Sequence, residues 1–384
     1  MKQSLRHSYL LSSKIDWLTI GGLSVVILPI FLFFISNDVG LSEQVGIALY
    51  IVAFVVNYPH FTVSYQLLYS DYRHLLLKDY RFIWAGIIVP ILLFLYIVWS
   101  MIEQSTDMLA YFVEFMFVIV GWHYTKQAYG AVMVTSSMKK YFYNKWERWA
   151  LKVNMYALWI TSFLSFNIGE NTGLEYWGIP YESLNFPKFS IYIAYGITAV
   201  SLLVFAGLML RRILQTKSWP PFISIVSFLS IYAWFLPILY DPVYNLAVPF
   251  FHSIQYFTFV IALKKNEISA EVDHTKHVTK WVVAYMAFAV LTGVMFFEAL
   301  PRVMDVTIPY NHDLFGQGLF LFLFSVFINI HHYFIDNVIW RADNEKVHRY
   351  LNSLLLIIVI DLAFRNMEIM RGLRRNRFFH GIHA

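Results

Sequence analysis

No cysteine occurs among the 384 residues, so disulfides, iron–sulfur clusters and thiolate-bound metals are excluded. Charge is scarce too: Asp, Glu, Lys and Arg make up 14% of the chain, against about 25% in a soluble domain. Polar stretches long enough to fold by themselves are also lacking, since the longest, at 167–188 and 264–280, have the length of loops. Apolar residues fill the space, at 59% of positions with a mean hydropathy of +0.56. This is the composition of an all-α polytopic membrane protein, with one helical transmembrane domain over 1–345 and a basic segment over 346–384.

Apolar windows near the spanning length of about 20 residues run over 15–36, 45–70, 82–102, 109–135, 149–167, 189–210, 220–240, 244–263, 281–300 and 313–340. They predict about ten transmembrane helices. The first follows Lys2, Arg6 and Lys14 without a small-residue cleavage site, which suits a retained anchor rather than a removed signal. Basic residues alternate between loops: Arg73, Lys78 and Arg81; Lys139, Lys140, Lys145 and Arg148; Arg211, Arg212 and Lys217; Lys264, Lys265, Lys276 and Lys280. The loops between them are mostly acidic, so the positive-inside rule places both termini in the cytoplasm. A bacterial plasma membrane is the expected location. The short apolar run 351–364, flanked by Arg341, Lys346 and Arg349 and by an Arg-rich tail, predicts a helix lying on the cytoplasmic face near anionic headgroups. Membrane proximity accounts for that basic tail, and nucleic acid is not an expected partner.

Histidines lie inside these spans. His60, His123, His252 and the pair His331 and His332 occupy spans two, four, eight and ten, which all run in the same direction under this topology. His60 is eleven residues before Asp71, His252 twelve before Lys264 and His332 nine before Arg341. A rise of about 1.5 Å per residue puts these at a common depth near mid-membrane. Each imidazole also has a polar neighbour about one turn away: Asn57 for His60, Lys126 and Gln127 for His123, Gln255 and Tyr256 for His252, Asn329 and Asp336 for His332. One such histidine is explained by interhelical hydrogen bonding. A set of them with a carboxylate at one depth points to a functional cluster.

Imidazole with carboxylate and no sulfur suits iron or zinc. His60, His123, His252, His331, His332 and Asp336 exceed the three ligands of an ordinary catalytic zinc, which favours one or two iron ions. Asn57, Gln255, Tyr256 and Asn329 are the expected outer partners. Lys126, Tyr65 and Gln127 are the expected catalytic groups, placed to hydrogen-bond an oxygen species or a substrate headgroup. The expected activity is oxygen-dependent oxidation of a lipid or isoprenoid drawn from the bilayer, with an electron-donor protein as partner. On His60, His123, His252, His331 and His332, the chain resembles the histidine-rich integral-membrane oxygenases and desaturases, including the bacterial membrane carotenoid-cleaving dioxygenases. The resemblance implies a metal-dependent oxygenase. It is one of general design, since neither His-x-x-His-His nor His-x-x-x-His occurs. Two alternatives stand beside it: a haem-bearing electron-transfer protein, and a proton-coupled transporter with a His, Asp and Lys path near the midplane.

Overall fold

Long apolar runs bounded by Ser, Asp, Asn and Pro dictate the architecture, because a backbone in lipid satisfies its hydrogen bonds only within helices. The computed structural model describes residues 9–35, 39–169, 174–271, 277–341 and 343–351. Ten long helices follow one another: α1 (Ser13–Phe33), α2 (Val39–Gln66), α3 (Tyr80–Ile102), α4 (Thr106–Met138), α5 (Lys145–Phe166), α6 (Phe189–Thr216), α7 (Phe222–Leu239), α8 (Val243–Ala270), α9 (Val278–Thr307) and α10 (Leu319–Ile339). Eight of these are long and apolar enough to cross a membrane. The remaining two, α2 and α5, coincide with expected windows 45–70 and 149–167. α5 is the less apolar of them, since it starts with Lys145, Glu147, Arg148 and Lys152.

Local chemistry sets the ends. Ser12, Asp79, Ser105 and Asn144 each accept a first-turn backbone N–H at the start of α1, α3, α4 and α5. At α5 the cap is a full capping box in which Glu147 accepts from the Asn144 backbone and also pairs with Arg212 of α6 at 2.7 Å. The described residues form the expected all-helical fold with one small addition. The polar segment after α5 contains a two-stranded antiparallel hairpin, β1 (Leu174–Tyr176) and β2 (Ile179–Tyr181), closed by Trp177 and Gly178 with φ of 51° and 82°. Two successive positive φ values give the turn whose twist matches that of the strands. Ile179 is fully buried in a cluster with Leu109, Phe315 and Phe322, and the Tyr176 hydroxyl meets Ser325 Oγ at 3.0 Å, so the hairpin closes one end of α4 and α10.

Burial separates inner from outer helices. In α10 and α8, 72% and 67% of the apolar window is buried, against 17% in α9 and 22% in α6, so α8 and α10 form the interior while α9 and α6 present their faces outward. α2 packs on α8, α9 and α10, and α4 packs on α10, α7 and α5. Two close approaches depend on glycine. A Cβ at Gly293 of α9 would stand 2.9 Å from the Tyr58 carbonyl carbon of α2, and one at Gly121 of α4 would stand 1.6 Å from the Trp159 indole nitrogen of α5. Apolar burial supplies little between helices in lipid, so polar contacts contribute. Asn154 bonds Ser201 and accepts from Tyr232, and Thr161 meets Thr198 at 2.8 Å, tying α5 to α6 and α7. At one end of α2 and α8, Asp71 and Glu267 each pair with both Lys264 and Lys346. The interfacial helix expected over 351–364 lies outside the described residues; the segment before it forms a short helix, Glu345–Leu351.

Candidate metal centre

Four inner helices each bring one histidine to a single point. His60 on α2, His123 on α4, His252 on α8 and His332 on α10 each offer one ring nitrogen, and these four atoms lie within 4.8 Å of one another. All four residues are buried, with at most 5% of their surface exposed. The closest pair is His123 Nε2 and His252 Nε2, 3.1 Å apart. With metal–nitrogen bonds of about 2.1 Å, a right angle at the metal separates two ligand atoms by about 3.0 Å, a tetrahedral angle by about 3.4 Å and a straight angle by about 4.2 Å. Inward adjustments of a few tenths of an ångström would therefore seat one ion among all four.

The outer hydrogen bonds prepare two of the rings. Ser253 Oγ donates its proton to Asn57 Oδ1 at 2.9 Å, so it accepts from His60 Nδ1–H at 3.0 Å. His332 Nδ1–H donates to the Asn329 carbonyl at 2.9 Å. Both rings are thereby fixed with an unprotonated Nε2, and both Nε2 atoms are buried without a hydrogen-bond partner among the described residues. A lone pair buried without a partner is costly in a packed interior, and a bound cation would satisfy it. Aromatic rings hold the imidazoles in place: Tyr256 stacks on His60 at 4.0 Å, Tyr333 on His123 at 4.6 Å, and Phe61 and Tyr124 lie against His332 and His252 at 4.2 and 4.4 Å.

Asp336 completes the cluster from α10. Its Oδ1 accepts from Ser64 at 2.7 Å and from Tyr256 at 3.3 Å. Its Oδ2 has no hydrogen-bond partner among the described residues and stands 3.7 Å from His60 Nε2 and 3.9 Å from His123 Nε2. The carboxylate thus borders two of the four nitrogens, where an ionised oxygen would offset the charge of a bound cation.

His331 is not part of this group. Adjacent positions on a helix diverge by about 100°, and α10 turns His332 inward and His331 toward α2 and α3. There its Nε2–H donates to the Ala85 carbonyl at 2.8 Å, which leaves Nδ1 to accept from the Tyr65 hydroxyl at 2.7 Å. The five-histidine set expected from sequence narrows to four. Tyr65 is accordingly the partner of His331, and Lys126 lies over the Trp122 ring with its Nζ 5.1 Å from the centroid. Gln127 donates to the His252 carbonyl at 3.0 Å and to Gln255 Oε1 at 3.1 Å, and Gln255 donates in turn to the Ile20 carbonyl of α1. These amides hold the α8 backbone behind His252. Asn57 reaches His60 only through Ser253, and Asn329 serves His332 through its backbone carbonyl, its side chain being engaged by Tyr333.

Spacing rules missed Ser64 and Ser253. Ser64 lies one turn from His60 and Ser253 follows His252, but their roles come from contacts between α2, α8 and α10, which no single-helix periodicity reports. Compared with protein-family profiles, with curated proteins and with solved structures, the chain finds no match.

Proposed function

We propose that this integral membrane protein is a metal-dependent oxidoreductase whose centre, an iron ion held by His60, His123, His252 and His332, uses dioxygen to oxidise an apolar lipid or isoprenoid. The observation that carries the reading is the convergence of four buried ring nitrogens within 4.8 Å, two of them fixed as unprotonated by their outer partners. The 3.1 Å bite between His123 and His252 lies closer to the right angle of a six-coordinate ion than to a tetrahedral one. Four imidazoles would leave an iron ion room for exogenous ligands, whereas the same set would close a four-coordinate zinc. That difference, with a carboxylate beside the site and no sulfur, favours iron.

Bound iron would supply redox chemistry with oxygen. The protein's own contribution is to orient the imidazoles through Ser253 and Asn329, to balance charge through Asp336, and to keep water out with the rings of Phe61, Tyr124, Tyr256 and Tyr333. A centre buried among membrane-spanning helices is reached most readily by molecules that partition into lipid, which supports an apolar substrate and oxygen, itself apolar. Haem fits poorly. The four rings crowd one point, with centroids 4.8 to 5.1 Å apart in four of the contacting pairs, which leaves no flat slot for a macrocycle among them.

Ten spans with cytoplasmic termini in a bacterial plasma membrane belong to the same proposal, with α5 as a more polar span and a cytoplasmic protein as electron donor. The test is elemental analysis with an absorption spectrum on protein purified in detergent without chelator, followed by exposure of the iron(II) form to ¹⁸O₂ in the presence of extracted membrane lipid. One iron per chain, no Soret band and ¹⁸O in a lipid product are expected, with the metal lost in His60→Ala and His252→Ala. Stoichiometric zinc would overturn the oxygen chemistry. Absence of any metal would overturn the centre and turn the cluster into a proton or solute path.

A further inference from the structure

A second site lies at one end of the bundle, where the start of α1, the end of α4 and the start of α7 meet. Between them is a cavity of about 890 Å³ whose walls include Tyr9, Lys14, Trp17, Leu18, Lys139 and Phe222. Among the described residues its lining includes two lysines and no carboxylate. Asp16, the nearest acid in sequence, is turned inward and saturated, its oxygens accepting the backbone N–H groups of Leu10, Leu11 and Ser12. The start of α7 adds positive potential, because its N-cap is Pro221 and no side chain caps the first turn.

The walls divide by chemistry. Lys14 opens the apolar stretch of α1 and Lys139 closes that of α4, so both ammonium groups stand where the hydrophobic spans end. Lys139 Nζ lies 3.5 Å from the Tyr9 ring centre, which holds that charge at the cavity. Leu18 and Phe222, both exposed, belong to the spans themselves. A ligand that satisfies all of these groups is anionic at one end and hydrocarbon at the other.

We infer that this cavity binds an anionic phospholipid, with its phosphate between Lys14 and Lys139 and an acyl chain along Leu18 and Phe222. The volume is within the range of about 300 to 1,000 Å³ typical of small-molecule sites, enough for a headgroup and the upper part of a chain. Basic pockets between helices at a membrane face recognise lipid headgroups by this combination of charge and depth. The inference does not depend on the metal centre.

The experiment is native mass spectrometry of the full chain, delipidated in detergent and titrated with dioleoylphosphatidylglycerol or dioleoylphosphatidylcholine. One phosphatidylglycerol per chain is expected, bound at least tenfold more tightly than phosphatidylcholine. Lys14→Gln with Lys139→Gln should weaken that binding at least tenfold, the corresponding double Arg variant should keep it, and Lys280→Gln, distant from the cavity, should leave it unchanged. The double Arg variant separates loss of charge from loss of fold, as does thermal unfolding in the same detergent. Equal retention by the double Gln variant, or equal binding of the two lipids, would overturn the assignment. Displacement of the lipid by millimolar inorganic phosphate would overturn it in favour of a simple anion site.

Discussion

Ser253→Ala isolates the role of the outer hydrogen bonds, because it leaves every proposed metal ligand in place. Ser253 on α8 accepts from His60 Nδ1–H on α2 and passes its own proton to Asn57. Without the hydroxyl, His60 can move its proton to Nε2, the nitrogen that faces the cluster, and the ring loses its polar restraint on the outer side. Loss of such an outer partner costs about 10- to 100-fold in metal affinity, or about 1.4 to 2.8 kcal/mol. Replacing Ser by Ala opens almost no cavity, so the helices should stay packed. The assay is a chelator competition on purified protein, with metal content read by mass spectrometry and folding by thermal unfolding. Tyr65→Phe is the matched control. It removes the partner of His331 Nδ1 and should cost stability by about 1 to 3 kcal/mol for a buried polar atom left unsatisfied, yet leave metal affinity within a factor of two. Equal metal affinity in Ser253→Ala and wild type would refute the tautomer argument. A drop in Tyr65→Phe as large as in Ser253→Ala would show that the two imidazoles cannot be divided as their contacts divide them.

Two further outcomes follow from the same geometry. His332→Ala should lose the metal while His331→Ala keeps it, checked by elemental analysis of the two variants, because only His332 has a ring nitrogen within the cluster. Gly121→Ala should destabilise the protein by about 1 to 3 kcal/mol, the usual range for overpacking, since its Cβ would meet the Trp159 indole; Gly130→Ala on the same helix, where nothing lies within 4 Å, should be neutral or stabilising in the same thermal assay.

The helix that carries each cluster histidine was legible in the sequence because each imidazole interrupts an apolar run. The turn-by-turn polar neighbours were legible as well, though only as positions. Asn57 and Asn329 occupy equivalent places relative to His60 and His332, yet one acts through a serine of another helix and the other through its main chain. Sequence spacing reports which residues share a face, whereas these links depend on which faces of α2, α8 and α10 meet. The choice between His331 and His332 was undecidable for the same reason: both are apolar-flanked and adjacent, and only the position of Ala85 and Tyr65 on neighbouring helices assigns them different partners. The hairpin escaped notice because Trp177 and Gly178 are not a common turn pair, and Trp177 adopts a positive φ that a bulky residue rarely takes.

Asp336 carries the remaining question of charge. Four neutral imidazoles would leave a divalent ion uncompensated in a low-dielectric interior, and the structure places one carboxylate oxygen, otherwise unpartnered, 3.7 and 3.9 Å from two of the ring nitrogens. Asp336→Asn keeps the shape and an oxygen to accept from Ser64 and Tyr256, but removes the charge. Two unit charges about 4 Å apart interact by about 4 kcal/mol at an effective dielectric of about 20. Loss of the charge should therefore weaken metal binding by more than Ser253→Ala does, at least 100-fold in the same chelator competition, with little change in thermal stability of the metal-free protein. If Asp336 serves only to anchor α2 and α8 through Ser64 and Tyr256, the pattern reverses: Asp336→Asn would bind metal normally, and Asp336→Ala would lose stability instead. Metal affinity and metal-free stability, measured on both variants, separate a charge that holds an ion from a hydrogen bond that holds helices.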